Sequence, residues 1–251
     1  MDAPATPTSE RRPPKFRARR RAAAWGVHLY TAMGLPVAFL AAIALARSDA
    51  STFWACSWLA CAIDATDGML ARRVRVREVI PSFDGRKLDD IVDYLTFVFL
   101  PMLALPALKI VPGLEWVSVI PLIASAYGFC QDRAKTQESF VGFPSYWNII
   151  VLYLYVLKPP AAVAAGILLV LSVLVFVPIH YIYPTKAKMW KPVTVIGGVA
   201  WALALVPVCV APDAPWAPTI AAWSLLYLAY YLVASLVHHY RHARHQSAVT
   251  D

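Results

Sequence analysis

The residues of this sequence best suited to chemistry are aspartates that lie within or beside apolar stretches. Asp64 and Asp67 are spaced i and i+3, and Asp89 and Asp93 are spaced i and i+4, so each pair shares one face of a helix. A charge inside a membrane costs roughly 3 kcal/mol, which makes such residues typical of a functional site. Oxygen ligands without cysteine or histidine suit hard cations, and two such ions commonly serve chemistry at phosphorus. The aspartates therefore predict a site for two divalent cations, Mn²⁺ or Mg²⁺.

A structural interpretation of the aspartates is the alternative. Arg72, Arg73 or Lys87 could neutralise them at a helix end, or an aspartate could cap the following helix. For Asp90 this structural interpretation is preferred. For the other four aspartates, the paired helical spacing and the neighbouring glycines favour a metal site.

The elements that must position these aspartates are strongly apolar. The 251-residue sequence is 59% hydrophobic and has a mean hydropathy of +0.56, which is typical of an integral membrane protein. A run of roughly 20 apolar residues crosses a bilayer. The sequence therefore predicts an all-α integral membrane protein with about eight transmembrane helices, at residues 25–46, 52–72, 88–108, 116–132, 143–158, 160–183, 192–211 and 215–239.

Lysine and arginine accumulate at alternate ends of these spans. They cluster up to Arg21, between Arg72 and Lys87, and from Lys186 to Lys191. The positive-inside rule then places both termini in the cytoplasm, so the net charge of +8 reflects orientation and contact with anionic lipid, and no nucleic-acid partner is expected. The chain divides into a basic N-terminal cytoplasmic arm, a membrane domain and a cytoplasmic tail, at residues 1–24, 25–240 and 241–251.

The two aspartate pairs are expected at similar depths in the membrane. At 1.5 Å per residue, Asp64 lies about 12 Å and Asp93 about 8 Å from the cytoplasmic ends of their helices. Gly68 and Ala71 fall on adjoining turns of the first of these helices and leave room for a ligand. The sequence therefore predicts an intramembrane active site that opens to the cytoplasm.

These residues form one ordered pattern, DxxDGxxAR…GxxxDxxxD, which runs from Asp64 through Arg72 and from Gly85 to Asp93. The pattern resembles the signature of the CDP-alcohol phosphatidyltransferase family. The gap of twelve residues from Arg73 to Asp84 is longer than in the commoner form of that signature. It resembles the gap in the bacterial phosphatidylcholine synthases, as do the segments LDDIVDYLTFVFLP, GFPSYWNIIVLYLY and FVPIHYIYPTK. The resemblance covers nearly the whole chain after the basic arm.

The resemblance implies an enzyme that transfers the phosphatidyl group from CDP-diacylglycerol to choline and releases CMP. It implies that the pair of metal ions is held by Asp64, Asp67 and Asp89, with Asp93 completing the site and acting as general base. The residues implied to line the CDP-diacylglycerol site are Asp64, Gly68, Ala71, Arg72 and Gly85. A homodimer in the bacterial inner membrane, surrounded by its lipids, is implied as well.

The acceptor has to be considered separately, because the signature concerns only the CDP side. A permanent cation such as choline is typically held over aromatic faces, with a carboxylate nearby. The candidate cage residues lie at predicted cytoplasmic ends of spans: Tyr146, Trp147, Tyr181 and Tyr183, with Glu138 or Asp132 as counter-charge. Taken singly, each aromatic residue is also typical of an interfacial anchor.

Several alternatives remain open at the level of sequence. Within the family, the acceptor could be serine, inositol phosphate or glycerol phosphate, although a phosphate-bearing acceptor would need additional arginines facing the cavity. A CDP-choline donor with a diacylglycerol acceptor would give the same product. A non-enzymatic divalent-cation-binding membrane protein is the alternative of another class. It leaves Gly68, Ala71 and Arg72 unexplained, and release of CMP distinguishes it from an enzyme.

Overall fold

The computed structural model of the protein describes residues 18–131, 139–182 and 191–250. Most of these residues are helical, so the helical class is confirmed. The helices are α1 (Ala18–Ala32), α2 (Gly34–Ala46), α3 (Ala50–Val74), α4 (Val76–Val79), α5 (Gly85–Asp93), α6 (Leu100–Ala107), α7 (Val119–Cys130), α8 (Trp147–Leu157), α9 (Ala161–Leu174), α10 (Lys191–Val210) and α11 (Ala217–Thr250). A π-helical turn, Tyr94–Phe99, joins α5 to α6, and a 3₁₀ turn, Glu115–Ser118, precedes α7. The strands are β1 (Ser139–Val141) and β2 (His180–Ile182).

Three helical stretches of the described residues are long and apolar enough to cross a membrane. They are Ala18–Ala46, Pro192–Val210 and Ala217–Tyr240. The first combines α1 and α2, which are separated only by a turn at Met33. Shorter apolar helices cover Glu115–Cys130, Trp147–Leu157 and Ala161–Leu174. These helices support a membrane protein, whereas the number of about eight spans stays a prediction.

Apolar side chains in this fold divide between an interior and an outward surface. Phe53, Trp54 and Trp147 are almost completely buried and belong to the main hydrophobic cluster. Ile196 and Trp223, in contrast, are 69% and 70% exposed. A large apolar surface of this kind marks contact with a membrane or a partner. The distribution therefore suits a chain surrounded by lipid.

Helix α3 carries the first aspartate pair and is capped at both ends. The Asp49 side chain accepts a hydrogen bond from the backbone N–H of Thr52 at 3.0 Å, and hydrogen bonding to Thr52 holds the pKa of Asp49 below its usual range. At the other end, Arg75 adopts the left-handed conformation with φ 56°, which stops the helix. The cap and the stop fix a helix of 25 residues whose last turns carry the aspartates.

A π-helical turn begins directly after Asp93. Pro101 lies just beyond this turn, in the first turn of α6. A proline ring clashes with the carbonyl four residues earlier, which here belongs to Phe97 inside the widened turn. The widened turn therefore accommodates the proline without ending the helix.

The predicted sixth span, 160–183, is wrong at its C-terminal end. Helix α9 stops at Leu174, and residues near Tyr181 form strand β2, which pairs antiparallel with β1. Pro178 lacks the backbone N–H that a continuing helix needs, and the segment after it is rich in β-branched and aromatic residues. Tyr181 therefore lies on a strand, and this two-stranded ribbon accompanies the helices of the described residues.

Helical backbone extends into both segments that flank the predicted membrane domain, whose boundaries stay a prediction. Helix α1 begins at Ala18, inside the segment 1–24 assigned to the arm, and residues 1–17 lie outside the described part of the chain. Helix α11 continues to Thr250, so most of the predicted tail 241–251 has a helical backbone. Neither 18–24 nor 240–250 contains glycine or proline, and the arginine, alanine and glutamine there favour helix.

Replacing Gly34 with alanine should destabilise the protein, because an added Cβ would overlap Cγ1 of Val92. The β-branched valine has few rotamers, so overpacking should cost about 1–3 kcal/mol. In the double variant Gly34→Ala/Val92→Ala, the cost should be smaller than the sum of the two single costs. Unfolding of the purified protein in nanodiscs measures these effects, and Gly166→Ala is the control, since nothing lies within 4 Å of its added Cβ. Strictly additive costs would contradict the contact.

Candidate active site

Carboxylates from two helices converge at one place in the fold. Asp64 of α3 and Asp89 and Asp93 of α5 each offer an oxygen, and these three oxygens lie within 4.8 Å of one another. Exposure falls across the group, because Asp64 is exposed, Asp89 is half-buried and Asp93 is only 8% exposed. This carboxylate cluster brings together three of the four aspartates of the two predicted pairs, and their common depth in the membrane stays a prediction.

The start of α5 sets the position of its two cluster aspartates. The Asp84 carboxylate accepts hydrogen bonds from the backbone N–H groups of Arg86 at 3.1 Å and Lys87 at 3.2 Å. This N-cap starts the helix at Gly85, and the i, i+4 spacing then places Asp89 and Asp93 one turn apart on one face. The cap therefore fixes which side of α5 faces α3.

Asp67 lies outside the carboxylate cluster. It is 5% exposed, and its Oδ2 accepts a hydrogen bond from the hydroxyl of Thr31 on α1 at 2.7 Å. The neighbouring Thr66 hydroxyl lies 2.8 Å from the hydroxyl of Tyr30. The predicted metal set is thus divided between a cluster of three aspartates and a fourth that is held by another helix.

Residues of the same face of α3 lie next to the cluster. A Cβ added at Gly68 would lie 3.4 Å from Nη1 of Arg72, so the guanidinium lies against this glycine. Arg72 is exposed, whereas Ala71 packs against the small hydrophobic cluster formed by Ala24 and residues of α4. The structure therefore leaves Arg72 available to a ligand and gives Ala71 a packing role as well.

Gly85 contacts a histidine that the sequence analysis did not select. A Cβ at this position would lie 2.5 Å from Cε1 of His28, whose side chain is 7% exposed. The His28 ring lies 4.4 Å from the Phe83 ring and 5.8 Å from the Trp25 ring, measured between centroids. Gly85 therefore allows α1 to pack closely on the start of α5. The sequence signal for a buried polar contact here would have been His28 and Thr31, which lie three positions apart in an otherwise apolar stretch.

The predicted cage residues occupy different environments. Trp147 is completely buried, and its indole N–H donates to the hydroxyl of Ser125 at 2.7 Å. Tyr181 is 6% exposed, and Tyr146, half-buried, precedes the first residue of α8. Tyr183, Glu138 and Asp132 lie outside the described residues.

A small open cleft lies beside α5. The charged residues that line this cleft are Arg86 and Asp90, whose side chains form an ion pair at 3.9 Å. Asp90 therefore has the structural role expected for it, although its partner is not one of the basic residues named in the sequence analysis. Phe129 and Phe143 line it too, and the Phe143 ring lies 5.0 Å from that of Trp147.

The floor of this cleft depends on glycine. Gly142 has φ 83°, and a Cβ there would overlap the carbonyl oxygen of Val175. The turn after β1 can therefore lie directly against the end of α9. The sequence analysis missed the cleft because its walls come from four separate segments of the chain.

Comparison with known proteins decides the family. No family model matches the sequence. A phosphatidylcholine synthase of Legionella pneumophila is 38% identical over 182 residues, 69% of this chain and 69% of that protein. One of Pseudomonas aeruginosa is 35% identical over 72% of this chain and 77% of its own length, and one of Borreliella burgdorferi is 30% identical over 85% and 93%. The chain belongs to the bacterial phosphatidylcholine synthase family.

The carboxylate cluster fits a divalent cation by the chemistry of its donors. Three carboxylates with oxygens within 4.8 Å repel one another, and the burial of Asp93 strengthens that repulsion. A cation between them offsets it, and an oxygen-only donor set suits Mg²⁺ or Mn²⁺. The predicted cofactor is thus supported as a divalent cation, while the choice of ion and the number of two stay predictions.

Asp89→Asn should abolish turnover and leave the fold intact. Removing one of three mutually repelling charges relieves repulsion, so the metal-free variant should unfold at the same temperature as the wild type or higher. Mn²⁺ should raise the unfolding temperature of the wild type only, because binding to the folded state stabilises it.

Glu78→Gln is the control for this charge removal. Glu78 is exposed, lies on α4 and pairs with Arg75 at 3.9 Å. This variant should keep both activity and the Mn²⁺ shift. Full activity of Asp89→Asn, or of the wild type in excess EDTA, would contradict a metal site at the cluster.

Proposed function

We propose that the protein is a metal-dependent phosphatidylcholine synthase that transfers the phosphatidyl group of CDP-diacylglycerol to choline and releases CMP. Membership of the family supports the reaction and its two substrates. The observation that carries the proposal for this chain is the convergence of Asp64, Asp89 and Asp93, all members of the signature pattern, within 4.8 Å. A pure cation-binding protein would need the cluster but not the glycine and arginine beside it.

The chain's own residues perform the proton chemistry of this reaction. Asp93 takes the proton from the choline hydroxyl as its oxygen forms a bond to the phosphatidyl phosphorus. The bond from that phosphorus to the bridging oxygen of the diphosphate breaks, and CMP leaves with the bonding electrons. Cations held by Asp64, Asp67, Asp89 and Asp93 would supply charge neutralisation for the diphosphate and for departing CMP.

The CDP-diacylglycerol side is assigned to the exposed face of α3. Gly68 lets the nucleotide approach the helix backbone, and the Arg72 guanidinium can pair bidentately with phosphate. The proximity of Gly68 and Arg72 supports this, because the Arg72 guanidinium lies 3.4 Å from the position of a Cβ at residue 68 and both residues can face one ligand. Ala71 and Gly85 are assigned to the same site. Ala71 packs on residues of α1 and α4, and Gly85 packs on His28 of α1, so both residues also hold the helices of the site together.

The choline side is assigned to the cleft beside α5 and the aromatic residues behind it. Phe143 lines the cleft and contacts Trp147, which supports Trp147 as part of an aromatic wall. Tyr146 and Tyr181 are assigned to the same wall on sequence grounds. Asp90 lines the same cleft but pairs with Arg86 at 3.9 Å, so the proposal for choline depends on the aromatic residues and not on this carboxylate. Tyr183 and Glu138 complete the proposed cage on sequence grounds.

Placement in the membrane follows from the same proposal. We assign the protein to the bacterial inner membrane as a multi-pass homodimer of about eight spans per chain, with both termini and the site on the cytoplasmic side. The long apolar helices support insertion, and the basic residues around 72–88 support this orientation.

A panel of acceptors tests the proposed function directly. Purified protein in nanodiscs is supplied with CDP-diacylglycerol, Mn²⁺ and one acceptor, and CMP and lipid products are measured. Choline should give CMP and phosphatidylcholine in equal amounts, whereas serine, glycerol phosphate and inositol phosphate should give little of either. Turnover with another acceptor but not with choline would reassign the enzyme, and a chain that released no CMP with any acceptor would be a binding protein.

Replacing cage residues should weaken choline selectively. A cation–π contact contributes about 0.5–2 kcal/mol, so Tyr146→Leu or Tyr181→Leu should raise the KM for choline by roughly 2- to 30-fold, provided that ground and transition states are bound alike. The KM for CDP-diacylglycerol should stay unchanged. Steady-state kinetics in nanodiscs measures both constants.

Tyr127→Leu is the matched control for these substitutions. Tyr127 is 63% exposed on α7, outside the proposed cage, and its loss should alter neither KM. If both KM values rise together in the cage variants, the tyrosines serve packing. If neither changes, choline binds elsewhere.

A further inference from the structure

A buried hydrogen bond connects α1 to the catalytic helix α3. The Thr31 hydroxyl donates to Oδ2 of Asp67 at 2.7 Å, and both side chains are buried, at 7% and 5% exposed. One residue earlier on each helix, the hydroxyls of Tyr30 and Thr66 lie 2.8 Å apart. Two neighbouring contacts therefore fix the position of α1 along this part of α3.

The same turn of α1 also holds α5. His28, one helical turn before Thr31, packs its ring against Gly85 at the start of that helix. Helix α1 packs extensively on both α3 and α5, whereas those two helices have at most marginal packing contacts with each other. The helices that carry the carboxylate cluster are thus held together mainly through α1.

We infer that Thr31 is a positioning residue for the metal site, which acts by fixing the carboxylate of Asp67. This inference rests on the proposed function, since it assigns Asp67 to the binding of a divalent cation. A hydrogen bond to one oxygen of a carboxylate restricts its rotation and so limits where its oxygens can lie. Hydrogen-bond partners of metal-binding carboxylates typically account for 10- to 100-fold in metal affinity.

Thr31 suits this role by position and by chemistry. Its branched side chain has few rotamers, so the hydroxyl is held in one direction. Its partner Asp67 is one turn from Asp64, which places the fixed carboxylate beside the cluster. Asp67 and Thr31 are both protected from water, so water cannot readily replace the lost donor.

Two substitutions separate the hydroxyl from the shape of the side chain. Thr31→Val keeps the branched shape and removes the donor, and Thr31→Ser keeps the donor. Mn²⁺ affinity is measured by electron paramagnetic resonance on the substrate-free protein in nanodiscs. Thr31→Val should weaken Mn²⁺ binding about 10- to 100-fold, and Thr31→Ser should restore most of the affinity. At saturating Mn²⁺, Thr31→Val should regain most of the wild-type turnover.

A control and a double variant exclude a general loss of packing. Thr194→Val removes another buried threonine hydroxyl, which lies 3.0 Å from that of Tyr230 on α11, and should leave Mn²⁺ affinity unchanged. In an Asp67→Asn background, Thr31→Val should cause no further loss, because the residue acts through that carboxylate. If Thr31→Val does not fold, Thr31→Ser and Thr31→Ala are compared in the same way.

The outcomes distinguish this inference from the proposed function. Wild-type affinity in a folded Thr31→Val protein, or an equal loss with and without the Asp67 carboxylate, would overturn the positioning role while the enzyme stays metal-dependent. A wild-type protein that neither binds Mn²⁺ nor needs it for turnover would overturn the metal-dependent function itself, and the role of Thr31 with it.

Discussion

Electrostatic repulsion among closely spaced carboxylates is the constraint on which this structure depends. Asp64, Asp89 and Asp93 bring three oxygens within 4.8 Å, and one of these side chains is almost buried. Like charges at this separation interact far more strongly away from water than in it. The arrangement becomes favourable when cations balance the carboxylate charges and a phosphate-bearing ligand balances the positive charge that remains. The stability of the site therefore depends on the presence of its ligands.

Polar and apolar residues are separated along the part of the chain that carries two of these aspartates. Helix α5 is short and polar, whereas the π-helical turn and α6 that continue it are apolar. The aspartates therefore lie on the polar helix α5, directly before the apolar and largely buried residues that continue it. Support for them comes from α1, which contacts both catalytic helices, and from the Asp84 cap that orients α5.

The sequence predicted those parts of the site that depend on local spacing. Helical periodicity was sufficient to pair Asp64 with the later aspartates, because a charge in an apolar stretch is costly and the i, i+4 spacing determines a face. The cluster confirms that prediction. Contacts between distant segments left no local signal, and the Thr31 hydrogen bond, the His28 packing and the cleft were missed for that reason. The ribbon that contains Tyr181 was mistaken for helix because a short apolar strand after a helix has no distinct period.

The most direct measurement of the central claim is the affinity of CDP-diacylglycerol for the protein with and without divalent cation. Binding is followed by calorimetry in nanodiscs without choline, so that no turnover occurs. Because cations offset the repulsion between the cluster and the diphosphate, EDTA should weaken binding by about 100-fold or more, equivalent to about 2.7 kcal/mol or more. Equal affinity in Mn²⁺ and in EDTA would contradict the claim that the aspartates hold the diphosphate through cations.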